Sequence, residues 1–337
     1  MINILIVTYS IIAAIIGAGF ASGQEMLLYF VCFKKYGLIG IFVTVTAFMI
    51  FIYAILSVCI KHNHNEYNDF LSIFKSYNIR RIINVITLIF SFAVYSAMIS
   101  ATGEMLFDFF GIHRASGTLL CVLFATLLFS LCGEKVFTFN AVLGIVLVFL
   151  ITFSALYMLS YREFHTFSNQ VIPAINNGLI YSGYNLVSLT PVLVALSKKL
   201  NSKSDAVAVS LSVGTASFII MTLIFGLISI YAGKINLGEL PMLTLARRQN
   251  PTFATLYAVV LSSAIITTLI SSGGGLCNAL NIRKKPQYIA LLSMFAYFIA
   301  GLGFSNLINI AYRLCGILGL FVCVLIIYTC FSHKKMK

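Results

Sequence analysis

From Gln249 to Ile282 the chain carries no charged residue, and the same holds from Val136 to Tyr161 and from Ala206 to Gly233. A helix needs about 20 apolar residues to cross a bilayer core of about 30 Å, and each of these stretches exceeds that length. An ordinary soluble domain carries about 25% charged residues. Here 9% of 337 residues are charged and 60% are hydrophobic, too few charges to clothe a water-facing surface. Soluble enzymes, disordered tails and nucleic-acid modules are excluded, and the fold class is an all-α polytopic membrane protein.

Cutting the chain at charge and turn clusters predicts ten spans, at 3–33, 37–60, 81–110, 116–132, 136–160, 174–197, 205–232, 252–280, 287–304 and 306–331. The first is not read as a cleaved signal peptide, because no Lys or Arg precedes it and the apolar run resumes after Glu25. Lys and Arg set the orientation. With the N-terminus inside, the inner loops hold 14 of them and the outer loops 7, with Arg313 left within a span. The net charge of +13 is thereby explained by topology, and no nucleic-acid partner is expected. Both termini are predicted to be cytoplasmic. The eight cysteines lie in or beside apolar runs without a CxxC pair and read as small buried hydrophobes. His62-Asn63-His64-Asn65-Glu66 reads as a solvated loop, since no third strong metal ligand accompanies it.

The first span contains Gly17-Ala18-Gly19-Phe20-Ala21-Ser22-Gly23, followed by Gln24 and Glu25. Clustered glycines either admit a neighbouring helix closely or mark an unwound segment. Close packing alone has no use for a carboxylate at membrane depth, so an interruption is predicted. The sixth span carries a second cluster, Tyr181-Ser182-Gly183-Tyr184-Asn185, with Pro191 beyond it. Interrupted spans at matching places in two halves point to a transporter binding site. The expected domains are 1–160, a first five-helix repeat; 161–173, an extracellular connection; and 174–337, an inverted five-helix repeat with a short basic tail. Helices 1 and 6 are both expected to be broken.

The run Gly17–Glu25 resembles the opening motif of the YkvI-type bacterial membrane proteins, relatives of the amino acid–polyamine–organocation superfamily with the leucine-transporter (LeuT) fold. The resemblance implies ten helices, a 5+5 inverted repeat and transport as a class, but no substrate. Sodium symporters of that fold build an ion site from carbonyls before the first break and an Ala-x-x-Thr-Ser/Thr run on helix 8. The resemblance maps these onto Ala13, Ile16, Ala264, Thr267 and Thr268. A hard cation takes such oxygen ligands, although helical threonines also bond back to their own carbonyls. Some proton-coupled relatives use a lysine on helix 5; the fifth span here has no Lys or Arg, which favours sodium.

Ionisable residues inside a membrane are costly and pair or line water. Glu25 and Arg313 lie at comparable depth and are predicted to form an external gate. The alternatives are a static buried pair, or a Glu25 that binds an amine substrate. Glu104 and Asp108, one helical turn apart, are expected to compete for Arg313 or to form an acidic vestibule. The central cavity is assigned Gly17, Gly19, Phe20, Ser22, Gly23, Tyr95, Tyr181, Gly183, Tyr184, Asn185 and Ser272. Half-helix N-termini suit a carboxylate, and tyrosine faces suit an ammonium. The reading is a non-enzymatic secondary transporter of a small amine or amino acid, without cofactor and with Na+ as coupling ion. Its rival is a non-transporting ligand-sensing subunit of the germinant-receptor type.

Overall fold

The computed structural model describes residues 2–63, 66–131, 153, 170–280, 282 and 285–335. The first segment runs in three pieces, α1 (Ile2–Ile15), α2 (Ala18–Ala21) and α3 (Gln24–Tyr29), then a 3-10 stretch, Val31–Tyr36. There follow α4 (Gly37–His62), the short α5 (Tyr67–Leu71), α6 (Tyr77–Phe110), α7 (Arg114–Leu131), α8 (Val171–Ser197) and α9 (Lys203–Tyr231). A short helix, α10 (Pro241–Gln249), precedes α11 (Pro251–Ala279) and α12 (Pro286–Ala300). Finally α13 (Phe304–Asn306) passes through a π-helical turn, Leu307–Tyr312, into α14 (Arg313–Lys335).

The molecule is a multi-pass membrane protein. Among the described residues six helical stretches are long and apolar enough to span a bilayer, with three shorter apolar helices besides. Nine predicted spans coincide with described helices; the fifth, 136–160, lies outside the described residues apart from Phe153, as does most of the 161–173 connection. Helix ends follow local chemistry. Ser202 and Asp205 form a reciprocal capping box at the start of α9, and Gly111, at φ 69°, closes α6 in the left-handed region that glycine tolerates.

Two groups of helices form the bundle. In one, α8 lies between α4 and α14, and α9 packs on α4 and α1; in the other, α6 packs on α7, α11 and α12. The interrupted first segment touches both, through α1 on α8 and through α2 on α11.

The sixth span is not broken. α8 runs without interruption through Gly183 and past Pro191. Gly183 is a contact glycine: a Cβ there would overlap the Gly316 carbonyl on α14, and one at Gly319 would stand 2.5 Å from the Gly183 carbonyl oxygen, well inside van der Waals contact. On the opposite side, Thr44 donates to both Gly40 O and Gly178 O, at 2.9 Å each. Small residues thus serve close helix approach in α8. The expected pair of breaks reduces to one.

These contacts predict opposite outcomes for two glycine-to-alanine changes. Gly183→Ala should lower thermal stability by about 1–3 kcal/mol through overpacking. Gly226→Ala, on α9 with no atom within 4 Å of its Cβ position, should be neutral or stabilising by up to about 1 kcal/mol. Unfolding followed with a thiol-reactive dye, reporting on buried cysteines such as Cys59 and Cys323, checks both.

Candidate functional site

The interruption of the first segment is built residue by residue. Gly17 adopts an extended conformation, φ −84° and ψ −177°, and its amide turns to Ile15 O at 3.0 Å. Ala18 N–H donates to Thr268 Oγ1 on α11 at 3.2 Å. The amides of residues 17 and 18 therefore do not return to the Ala13 and Ala14 carbonyls. Gly23, at φ 81°, precedes α3 in a left-handed conformation that glycine tolerates. Ser22 Oγ donates to Gly19 O at 2.9 Å and accepts from Gln24 N–H at 3.2 Å. Ala21 O accepts from the Tyr257 hydroxyl at 2.5 Å, and Ser22 O accepts from Met242 N–H at 2.9 Å. Peptide groups freed in a membrane interior must be met by protein or a cavity, and here α10 and α11 meet them.

Glu25 is buried, and its carboxylate folds back over Gly19, where any Cβ would collide with it. Its Oε2 accepts from the Tyr181 hydroxyl at 3.1 Å. Around it lies an aromatic cluster: Tyr181 contacts Tyr29 and Tyr184, with centroids 5.5 and 5.2 Å away, and Tyr184 contacts Tyr312 and Phe90 at 5.2 and 5.5 Å. Among the described residues, nothing hydrogen-bonds the buried Tyr184 hydroxyl or the buried Gln24 side-chain oxygen. The first break and the middle of the continuous α8 thus still face one another through Glu25 and Tyr181.

The expected Glu25–Arg313 ion pair does not form. The Arg313 guanidinium lies over the Tyr29 ring, 5.9 Å from its centroid, and its buried Nε has no partner among the described residues. Glu104 is engaged elsewhere, gripped by both arms of Arg114 at 2.5 and 2.8 Å, the only ion pair among the described residues. Arg247 donates to the Asp108 carbonyl. Glu104 is therefore taken up by Arg114 and does not compete for Arg313, while the contact at Asp108 is made by its backbone carbonyl and not its carboxylate. Between helices, Glu239 Oε2 accepts from Ser305 N–H at 3.3 Å, and Ser305 Oγ accepts from Gln24 Nε2 at 2.5 Å. Burial, reinforced by the nearby Glu104 charge, holds the Glu239 carboxyl above the usual carboxylate range.

Other assigned residues divide. Thr267 and Thr268 hydroxyls both donate to Ala264 O, at 2.9 and 2.8 Å, so the helical back-bonding pattern is present. Thr268 additionally faces Gly17. Ile16 is buried at the break, and Phe20 is buried on α2. Ser272 bonds to Thr268 O at 2.7 Å, and Asn185 Nδ2 to Tyr181 O at 3.0 Å. Tyr95 turns away from the break: its hydroxyl is 2.7 Å from Ser293 Oγ on α12, and its ring rests near Phe129. Tyr29, Tyr257, Tyr312, Met242 and Ser305 escaped the sequence reading. Tyr29 alone carried a signal, one helical turn after Glu25.

This geometry defines a membrane-embedded helical bundle with a discontinuous first helix, an architecture shared with solved transporters. The chain superimposes on the Eremococcus coleocola manganese transporter bound to an aromatic bis-isothiourea compound, with a TM-score of 0.64 and 15% identity, over 96% of this chain and 78% of that one. It superimposes on a substrate-bound, outward-open Na+-coupled sialic acid symporter with a TM-score of 0.60 and 13% identity, over 94% and 78% of the respective chains. In sequence it is 24% identical over 319 residues to the uncharacterized membrane protein YkvI of Bacillus subtilis (strain 168), covering 92% of this chain and 91% of that protein. It is 25% identical to YyaD of the same organism, described as an uncharacterized protein, over 96% of each. No protein-family model matches the chain.

A double-mutant cycle of Glu25→Met with Tyr181→Phe should give a coupling of about 1 kcal/mol, as expected when a hydrogen bond to a carboxylate is removed. The cycle of Glu25→Met with Arg313→Met should give less. Chemical unfolding of the purified protein in mild detergent measures both.

Proposed function

We propose that the chain is a secondary transporter that moves a small amine or amino acid across a bacterial cell membrane by alternating access, with sodium as the coupling ion. The observation that carries this reading is the interruption at Ile16–Gly23, whose peptide groups are met by α10 and α11 and whose flank bears a buried carboxylate. A helix is broken inside a membrane at considerable cost, and lining an ion or substrate path is what such breaks serve.

The helix packing supports a ten-span inverted repeat. If each span is exchanged with the one five places on, the contact of α1 with α9 maps onto that of α8 with α4. The contact of α6 with α12 maps onto that of α11 with α7, and that of α6 with α8 onto that of α11 with the first segment. The contacts α4–α9, α6–α11 and α7–α12 map onto themselves. Five is odd, so the second half is inverted.

For the ion, the Ala13 carbonyl has lost its helical amide partner, and Ile16, Ala264, Thr267 and Thr268 add neutral oxygens suited to Na+. Among the described residues no three His, Cys, Asp or Glu side chains gather, so these oxygens, and not an acidic cage, are the cation site we assign. Glu25 and the tyrosine rings offer counter-charge and cation–π surface to an ammonium. The end of α2 towards Thr268 offers a helix N-terminus, but its peptide donor is already engaged. The excess of Lys and Arg in one set of loops supports cytoplasmic termini.

Two measurements test the reading. Sodium added against equal potassium should raise the melting temperature of the wild type, as a ligand of the folded state must, and Thr267→Ala with Thr268→Ala should abolish the rise. In proteoliposomes an inward sodium gradient should drive accumulation of an amine or amino acid found by the same thermal screen. An unchanged sodium response in the double variant removes the ion site; binding without accumulation favours the ligand-sensing alternative.

A further inference from the structure

Where α4 ends, α9 begins and α14 ends, a shallow cleft opens at one end of the bundle, lined by Ser57, Val58, Lys61, His62, Lys203 and Phe331 among others. Its described lining contains no acidic residue. Lys61 and Lys203 are exposed and come from different helices, and neither has an ionic partner among the described residues. Two ammonium groups held over one cleft repel each other unless an anion sits between them. Beside Ser57 and His62, the remainder of the lining is apolar, from Ala54, Val58, Cys330 and Phe331.

The last helix supplies the second observation. Phe321, Val324, Tyr328 and Phe331 recur at spacings of three and four residues, which places them on one face. All four are exposed, and the face ends at the cleft in Phe331. An apolar track thus runs along the membrane-embedded length of α14 to a pair of unpaired lysines at its end. Lys198 and Lys199, in the turn that joins α8 to α9, stand close in the chain to Lys203 and add to the positive field there.

We propose that this cleft binds the phosphate of an anionic phospholipid, with Lys61 and Lys203 on the headgroup and an acyl chain along the Phe321–Phe331 face. A phosphate anion satisfies the two lysines whatever carries it. The continuous apolar face selects the lipid over a soluble phosphate, because only the lipid uses both parts. Basic pockets between spans at a membrane surface are suited to such headgroups. The site lies apart from the interrupted first helix, and the proposal does not depend on the transport reading.

The test uses the whole protein in nanodiscs or mixed micelles of dioleoyl-phosphatidylglycerol or of dioleoyl-phosphatidylcholine, with native mass spectrometry counting retained lipid and a thermal shift as second readout. The wild type should retain phosphatidylglycerol several-fold over phosphatidylcholine and melt higher in it. Lys61→Gln with Lys203→Gln should remove most of that preference, and Lys61→Arg with Lys203→Arg should keep it. Lys34→Gln with Lys35→Gln, at the other end of α4, should leave it unchanged. Because the four lysines are surface residues, the lipid-free melting temperature serves to confirm folding of each variant. Equal retention of the two lipids, or a preference that survives in the Lys61/Lys203 glutamine variant, overturns the proposal. So does a full thermal shift from inorganic phosphate or glycerol 3-phosphate alone, which assigns the cleft to a soluble anion. None of these readouts involves uptake, so a failure of transport and a failure of this site are told apart.

Discussion

The bond from Ala18 N–H to Thr268 Oγ1 is the interaction on which the remaining arrangement turns. Lipid offers nothing to an unpaired peptide group, so the first helix can be interrupted only where other helices bring donors and acceptors to it. α11 brings Thr268 on one side and the Tyr257 hydroxyl on the other, and α10 brings the Met242 amide. The position of α11 relative to the first segment, and the folding of α10 back into the bundle, both follow from that requirement. So does the choice of residue types. Gly17 gives the room for Thr268, and Gly23 supplies the left-handed turn that lets Ser22 present its carbonyl outward.

Among the described residues, Glu25 has no ion-pair partner. Its neighbours are a hydroxyl, four aromatic rings and the bare backbone of Gly19. Arg313 lies over the Tyr29 ring and makes no ion pair with the carboxylate. Glu104, in contrast, is neutralised locally by Arg114, across the turn at Gly111.

The helices themselves were legible from apolar runs cut by charges, and the first interruption from three glycines followed by Ser22, Gln24 and Glu25. The approach of Thr268 to that interruption was legible only through the family resemblance. What failed was the symmetry argument. Gly183 sits among Tyr, Ser and Asn much as Gly19 sits among polar neighbours, yet what decides its role is Gly316 and Gly319 on a helix distant in sequence. A glycine that frees the backbone and a glycine that admits another backbone look alike until the partner is placed. The aromatic cluster was hidden for a similar reason: in a chain with 29 Phe and 17 Tyr, one more ring in an apolar run carries no positional information. Arg114 was assigned to a loop, where its reach back to Glu104 could not be read.

Gly40, Gly178, Gly183, Gly316 and Gly319 bring α4, α8 and α14 together backbone to backbone, with no flexible side chains between them. Peptide planes in direct contact do not slide or re-pack as leucines do; they interlock. The three helices therefore pack as one interlocked unit, to which the first segment is joined in the chain only through the stretch Val31–Tyr36.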